Sequence, residues 1–150
     1  MFSTLHTTAA VGAVARLMDM GIEPFLIASS LRGGMAQRLV RRLCQHCKQP
    51  AQPSEQIVRR LGHRLEEGAT FYEGVGCREC RNTGYTGRMG IFEVVTVDDE
   101  LRDAIASRAS TTKLIEVRGD RHIPMWEDGY RKAAAGQTTL SEVLRVTQDV

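Results

Sequence analysis

Four cysteines are the residues best suited to chemistry. They form two C-x2-C pairs, Cys44-Gln45-His46-Cys47 and Cys77-Arg78-Glu79-Cys80, separated by 29 residues. Each C-x2-C turn presents two thiolates from one knuckle, and two such knuckles supply the four corners of a tetrahedral zinc site. The chain has no other cysteine, so Cys44, Cys47, Cys77 and Cys80 are a closed ligand set. Four protein thiolates leave no position for water or substrate, which makes the expected zinc a structural staple rather than a catalyst. His46 lies between Gln45 and Cys47 and cannot easily share a tetrahedron with both flanking thiolates, so it is read as a surface residue. A redox dithiol is a competing reading, but it needs a βαβ context and a single active pair. Two unrelated pairs of buried thiols would leave the repeated spacing unexplained.

Nothing else in the chain completes an active site. Gly84-Tyr85-Thr86-Gly87-Arg88-Met89-Gly90 has the spacing G-x-x-G-x-x-G, and no G-x-x-x-x-G-K-[ST] occurs anywhere. Val94-Val95-Thr96-Val97-Asp98-Asp99-Glu100 imitates the end of a magnesium-binding strand. Without a phosphate loop to complete such a site, it reads as a strand followed by a helix N-cap. Neither a G-x-S-x-G elbow nor an H-E-x-x-H helix is present.

The elements that must position the cysteines follow from pattern and punctuation. Residues 2–5 read as the end of a buried strand. A helix fits 9–20, where Val11, Val14, Ala15 and Met18 recur at helical spacing, and Gly21 stops it. A second helix starts at Pro24 and carries Ile27, Leu31, Met35, Leu39 and Leu43 four apart. A break or kink is expected at Gly33-Gly34, and the helix delivers Cys44 at its end. Residues 48–54 form a linker into a short helix over 55–65, and the glycine-dense stretch 68–90 is knuckle and hairpin. A strand is expected over 91–97 and a helix after Asp98. Ser110 caps a further helix to Arg118, and Pro124 opens one that runs to Ala135. The capping box Thr139-Leu140-Ser141-Glu142 starts the last helix, through Val146. The fold class is therefore mainly α with a few short strands (α+β).

The chain has 150 residues, 42% hydrophobic and 25% charged, values ordinary for a globular protein. No apolar run approaches the roughly 20 residues that would span a bilayer, and no secretory signal opens the sequence, so a cytosolic location is the default. The formal charge is +2. A zinc tetrathiolate would add about −2 and bring the chain close to neutral, which gives nucleic acid little to recognise. Arginines gather locally as Arg38, Arg41 and Arg42, as Arg59, Arg60 and Arg64, and as Arg78, Arg81 and Arg88. Their plain reading is solvated helix and loop surface.

Several longer motifs resemble one family. Ser3-Thr4-Leu5-His6-Thr7 is similar to the end of the histidine box of bacterial secretion ATPases of the GspE, PulE and PilB type. Arg16-Leu17-Met18-Asp19-Met20-Gly21 with Glu23-Pro24-Phe25-Leu26 resembles the segment after that box, and Ala36-Gln37-Arg38-Leu39-Val40-Arg41-Arg42-Leu43-Cys44 the run into the first knuckle. Gly76-Cys77-Arg78-Glu79-Cys80 and Thr83-Gly84-Tyr85-Thr86-Gly87-Arg88-Met89-Gly90-Ile91-Phe92-Glu93 are similar to its second, and 128–147 to its C-terminal helices. One departure is Thr8-Ala9, which stands where the family usually has Asn-Asp and weakens helix capping at that turn.

The resemblance implies the C-terminal portion of a longer ATPase. Residues 1–43 would be the C-terminal edge of a RecA-like ATPase domain, 44–90 a tetracysteine zinc subdomain and 91–150 a helical C-terminal subdomain. ATP and Mg would belong to the intact protein only, with His6 contributing from a partial histidine box near the terminal phosphate. Implied partners are the other subunits of a hexameric ring, platform proteins of the inner membrane and acidic lipids, at a cytoplasmic site peripheral to that membrane. The rival function is a free-standing zinc-knuckle module that binds nucleic acid or a protein. Nucleic-acid knuckles interleave aromatics for stacking, and here only Phe71, Tyr72, Tyr85 and Phe92 lie near the cysteines.

Overall fold

The computed structural model describes residues 3–7, 9–62, 65–66, 68–119 and 122–147. Helices α1 (Gly12–Asp19) and α2 (Pro24–Ser30) come first, then strands β1 (Gly33–Leu43) and β2 (Lys48–Ala51). Helix α3 (Glu55–Leu61), β3 (Phe71–Gly74) and β4 (Tyr85–Thr96) follow. Four helices close the chain: α4 (Asp99–Ala106), α5 (Thr111–Arg118), α6 (Met125–Ala134) and α7 (Leu140–Val146). β1 pairs with β4 and β2 with β3, in two separate two-stranded sheets.

Helix starts obey local capping chemistry. Asp98, Ser110 and Thr139 each accept a hydrogen bond from the backbone N–H three residues on, at Leu101, Lys113 and Glu142. Ser54 does the same for α3, which ends at Leu61 because Gly62 turns to φ 51°. Part of the helix expected over 55–65 lies outside the described residues.

Three expectations are corrected. The helix expected to run from Pro24 to Leu43 ends at Ser30; Leu31 is extended at ψ 125°, and residues 33–43 are a strand. A spacing of four suits a helix face and is also twice the strand period, so the series Met35, Leu39, Leu43 did not discriminate. In the strand, Ala36, Val40 and Leu43 are buried while Met35 and Leu39 are 65% and 49% exposed. Gly33 belongs to this strand because a Cβ there would sit 2.8 Å from the Val95 carbonyl oxygen. Second, β1 and β4 have 11 and 12 residues, so the strands are not all short, while the mixed helix-and-strand class holds. Third, Ser3–Leu5 form no strand; Met1, Phe2 and Thr8 lie outside the described residues.

Two compact units result, each made of two chain segments: Met1–Ala36 with Phe92–Pro124, and Gln37–Ile91 with Met125–Val150. In the first, α2 packs on α4 and α4 on α5, burying Ile27, Leu101, Ile105 and Leu114. In the second, Leu61, Phe71, Tyr130, Ala133, Leu140, Val143 and Leu144 form one core. Phe71 meets Tyr130 edge to face at 5.5 Å between ring centres, a geometry that suits aromatic quadrupoles. Gly129 lets α6 approach α7, since a Cβ there would lie 2.5 Å from Val143 Cγ1.

The capping box at α7 is only half made, and the other half is the second unit's main buried ion pair. The Thr139 hydroxyl accepts from the Glu142 N–H, but the Glu142 carboxylate turns to β1 instead of reaching back. It accepts from the Arg41 N–H at 2.8 Å, from Arg41 Nη2 at 2.9 Å, and from Arg145 Nε and Nη2 at 3.0 and 2.9 Å. The same stretch satisfies more of β1: the Thr138 hydroxyl donates to the Arg41 carbonyl, and the Leu43 N–H donates to the Gln137 carbonyl. Burial alone would raise the Glu142 pKa, but the Arg145 and Arg41 guanidiniums and the Arg41 N–H outweigh it and hold the carboxyl at about 2.

A carboxyl depressed in the folded state stabilises above its unfolded pKa and loses that contribution as pH falls. Glu142→Gln should therefore weaken the chain by about 2 kcal/mol at pH 7, once the exposed arginine heads are discounted for screening. The deficit relative to the parent should shrink as pH falls from about 5 towards 2. Urea unfolding of both proteins across that range measures it. A deficit constant with pH would show that packing, not charge, is what Glu142 supplies.

Candidate metal centre

β2 begins one residue after Cys47 and β3 ends three residues before Cys77, and their antiparallel register places Lys48 opposite Gly74 and Ala51 opposite Phe71. That pairing carries the second knuckle back to the first across the 29 intervening residues. The first knuckle is closed by the Lys48 N–H donating to the Cys44 carbonyl at 3.0 Å. The second is closed by the Asn82 N–H donating to the Cys77 carbonyl at 2.8 Å, with Arg81 and Asn82 both left-handed at φ 52° and 61°. The two are tied directly: Cys44 N–H donates to the Gly84 carbonyl at 3.0 Å, and Val75 N–H to the Cys47 carbonyl at 3.2 Å.

Gly74 and Gly84 make this approach possible. A Cβ on either would overlap the backbone of the other, and Gly84 is also left-handed at φ 77°.

All four Sγ atoms lie within 4.8 Å of one another. Cys44–Cys77 and Cys47–Cys80 are 3.8 Å apart and Cys77–Cys80 is 3.7 Å. A zinc–sulfur bond of about 2.3 Å gives a tetrahedron edge of about 3.8 Å, so three of the edges already have the length a zinc ion requires. They are far too long for disulfides, whose sulfurs sit about 2.05 Å apart. Cys44, Cys47 and Cys80 are buried and Cys77 is half-buried.

The surroundings favour thiolate at two of the four positions. The His46 N–H, acting with the Thr86 hydroxyl and the neighbouring thiols against burial, lowers the Cys44 pKa. At Cys80 burial works upward, but N–H donors from Cys77 and Gly84, both at 3.2 Å, and adjacent thiols outweigh it and hold the group at about 6. Burial pushes the Cys47 thiol up to about 12, and the other three thiols reinforce it. The donor set, its edges and its burial fit a closed tetrahedral metal site.

Sequence-selected residues outside the cluster fall elsewhere. His46 is exposed on the knuckle and its side chain is not among the converging donors. His6 is exposed in an irregular segment of the first unit. Gly84 immediately precedes β4, and Gly87 and Gly90 lie within it, while Asp98 is an N-cap. Sequence reasoning missed the backbone donors at Cys77 and Gly84, and it missed two buried carboxylates, Glu93 and Glu142. Glu93 had a signal: it interrupts the alternating apolar face Ile91, Val95, Val97. Among the described residues, no helix is long and apolar enough to cross a membrane.

Comparison with known proteins gives one consistent answer. The family model described as type II/IV secretion system protein matches residues 1–145. Type II secretion system protein E of Dickeya dadantii is 46% identical over 149 residues, which is 99% of this chain and 30% of that protein. The type IV pilus assembly ATPase PilB of Thermus thermophilus is 46% identical over 150 residues, 98% of this chain and 17% of that protein. Type II secretion system protein HxcR of Pseudomonas aeruginosa is 47% identical, over 99% of this chain and 28% of its own length. The chain thus spans less than a third of each of these relatives.

Two glycine substitutions separate a close approach from a mere turn. Gly84→Ala must strain a left-handed residue and force Gly74 away, so a loss of more than about 3 kcal/mol is expected. Gly87→Ala has φ 71° but open space around it, so about 1 kcal/mol is expected. Urea unfolding followed by Trp126 fluorescence compares them, and equal losses would remove the case for the Gly74–Gly84 contact.

Proposed function

Because the chain belongs to the type II/IV secretion system protein family, we propose that it is the zinc-stapled C-terminal part of an ATPase serving protein secretion or pilus assembly. The observation that carries this reading is end-to-end similarity: the match to the Dickeya protein takes in 99% of the chain, including both knuckles. In this reading 1–43 complete a RecA-like ATPase domain, 44–90 form the zinc subdomain and 91–150 the helical C-terminal subdomain. Cys44, Cys47, Cys77 and Cys80 hold one zinc ion, which supplies a crosslink and no catalysis. The 150 residues contain no phosphate-binding loop, so ATP and Mg bind on the part of the protein this chain does not span. His6 faces that part and senses the state of the nucleotide. The protein works as a ring of six in the cytoplasm, against platform proteins of the inner membrane, with the arginine clusters turned to acidic surfaces.

Four measurements test this. The purified chain should contain one zinc per molecule by elemental analysis. Cys80→Ser should lose the metal and with it the cooperative unfolding of the second unit, because the binding energy of a structural zinc is folding energy. The same chain should show no magnesium-dependent ATP hydrolysis. An antibody raised against it should detect, in lysates of the source cells, a band far larger than 16.7 kDa. A single band near that mass would sink the ATPase reading and favour a free-standing zinc module.

A further inference from the structure

We propose that Glu93 is a positioning residue that holds the turn joining the His6 segment to helix α1, its carboxylate on β4 accepting a hydrogen bond from the Ala10 N–H of that turn. The inference rests on the ATPase reading above for its functional consequence, and on the first unit's geometry for everything else.

Among the described residues, no side chain close in sequence caps the N-terminus of α1. Its N-cap position is Val11, which has no side-chain cap hydrogen bond and is itself already helical at φ −66° and ψ −31°. The Thr7 hydroxyl donates to the Ala9 carbonyl at 3.1 Å. Gly12, Ala13 and Val14 N–H groups close tight turns onto the carbonyls of Ala9, Ala10 and Val11. The Ala10 N–H finds its acceptor 83 residues away, at Glu93 Oε2, 3.4 Å distant. A carboxylate at this position also faces the positive end of the α1 dipole, where negative charge is favoured.

Glu93 is held in place to do this. It is 5% exposed, on the face of β4 that also carries the buried Ile91 and Val95. Its other oxygen, Oε1, accepts from Arg118 Nη1 at 2.5 Å, and His122 Nε2 lies 3.9 Å from the same atom. Arg118 closes α5, and its side chain is only 14% exposed. A paired charge buried on an apolar strand face is commonly matched or bettered in stability by apolar residues of similar volume. An apolar residue at 93 could pack on that face but could not accept from the Ala10 N–H. The residue that would feel the loss is His6, four positions before Ala10.

The test uses the intact protein that carries this chain. Replacing Glu93 alone would strand the Arg118 charge and risk unfolding, so the variant is Glu93→Met with Arg118→Met, which removes both charges together. Amide exchange should rise at least tenfold in peptides covering residues 7–14 and stay unchanged in those covering 44–80. The kcat for ATP should fall about tenfold or more with KM within twofold, as misplacement of a reacting group predicts. The same change made on top of His6→Ala should add no further loss, since both act through one residue. Unchanged exchange at 7–14 would overturn the proposal, and so would faster exchange with unchanged kcat or an additive double variant. If the unsubstituted protein hydrolyses no ATP, the functional reading fails instead, and the exchange measurement alone decides whether Glu93 holds the turn.

Discussion

The centre of the second unit depends on one register, Lys48 opposite Gly74. Two knuckles separated by 29 residues have no local reason to meet, and closing such a loop carries an entropic cost that must be met by contacts on arrival. The four-residue β2–β3 pairing supplies backbone hydrogen bonds, but a short hairpin alone is marginal in water. Its neighbours complete the arrangement: Phe71 at one end of β3 enters the aromatic core, and Gly74 at the other lets Gly84 come into backbone contact. A slip of one residue would turn Phe71 outwards and set a side chain against Gly84. Sulfur positions, hydrophobic packing and glycine placement thus all depend on the same alignment of two strands.

Each unit also contains one buried glutamate with the same double duty. Glu142 joins the Arg41 N–H to the guanidiniums of Arg41 and Arg145, and Glu93 joins the Ala10 N–H to the guanidinium of Arg118. In both cases a charged side chain satisfies a main-chain donor in another part of its unit and is itself neutralised by arginine. A buried carboxylate is tolerable only when it is so surrounded. The donors they serve, one on strand β1 and one just before helix α1, lie where regular backbone pairing begins or ends.

What was legible in the sequence was local. The C-x2-C pairs picked out the four thiols that converge, and Asp98, Ser110 and Thr139 marked three helix starts correctly because a cap is chemistry between residues three apart. Strand β1 was not legible, since Met35, Leu39 and Leu43 fit a helix as well as a strand, and β4 with Gln137–Glu142 decided the matter from far along the chain. The capping box at Thr139 was half right for the same reason: Glu142 had better partners on β1 than its own helix offered. Glu93 could have been singled out as a charge on an apolar strand face, but not its partner, because nothing in the sequence relates positions 10 and 93.

The discontinuity of the units has a consequence for how the molecule is made. Synthesis is vectorial, and domains generally fold as their residues emerge. The second unit cannot close when Cys80 leaves the ribosome, because the Leu140, Val143 and Leu144 side chains that complete its core, and the Glu142 that grips β1, are made some sixty residues later. Meanwhile the first unit must finish on residues 92–124, made in between. The nascent knuckles therefore spend an interval as exposed thiols, open to oxidation before their own hydrophobic shelter exists.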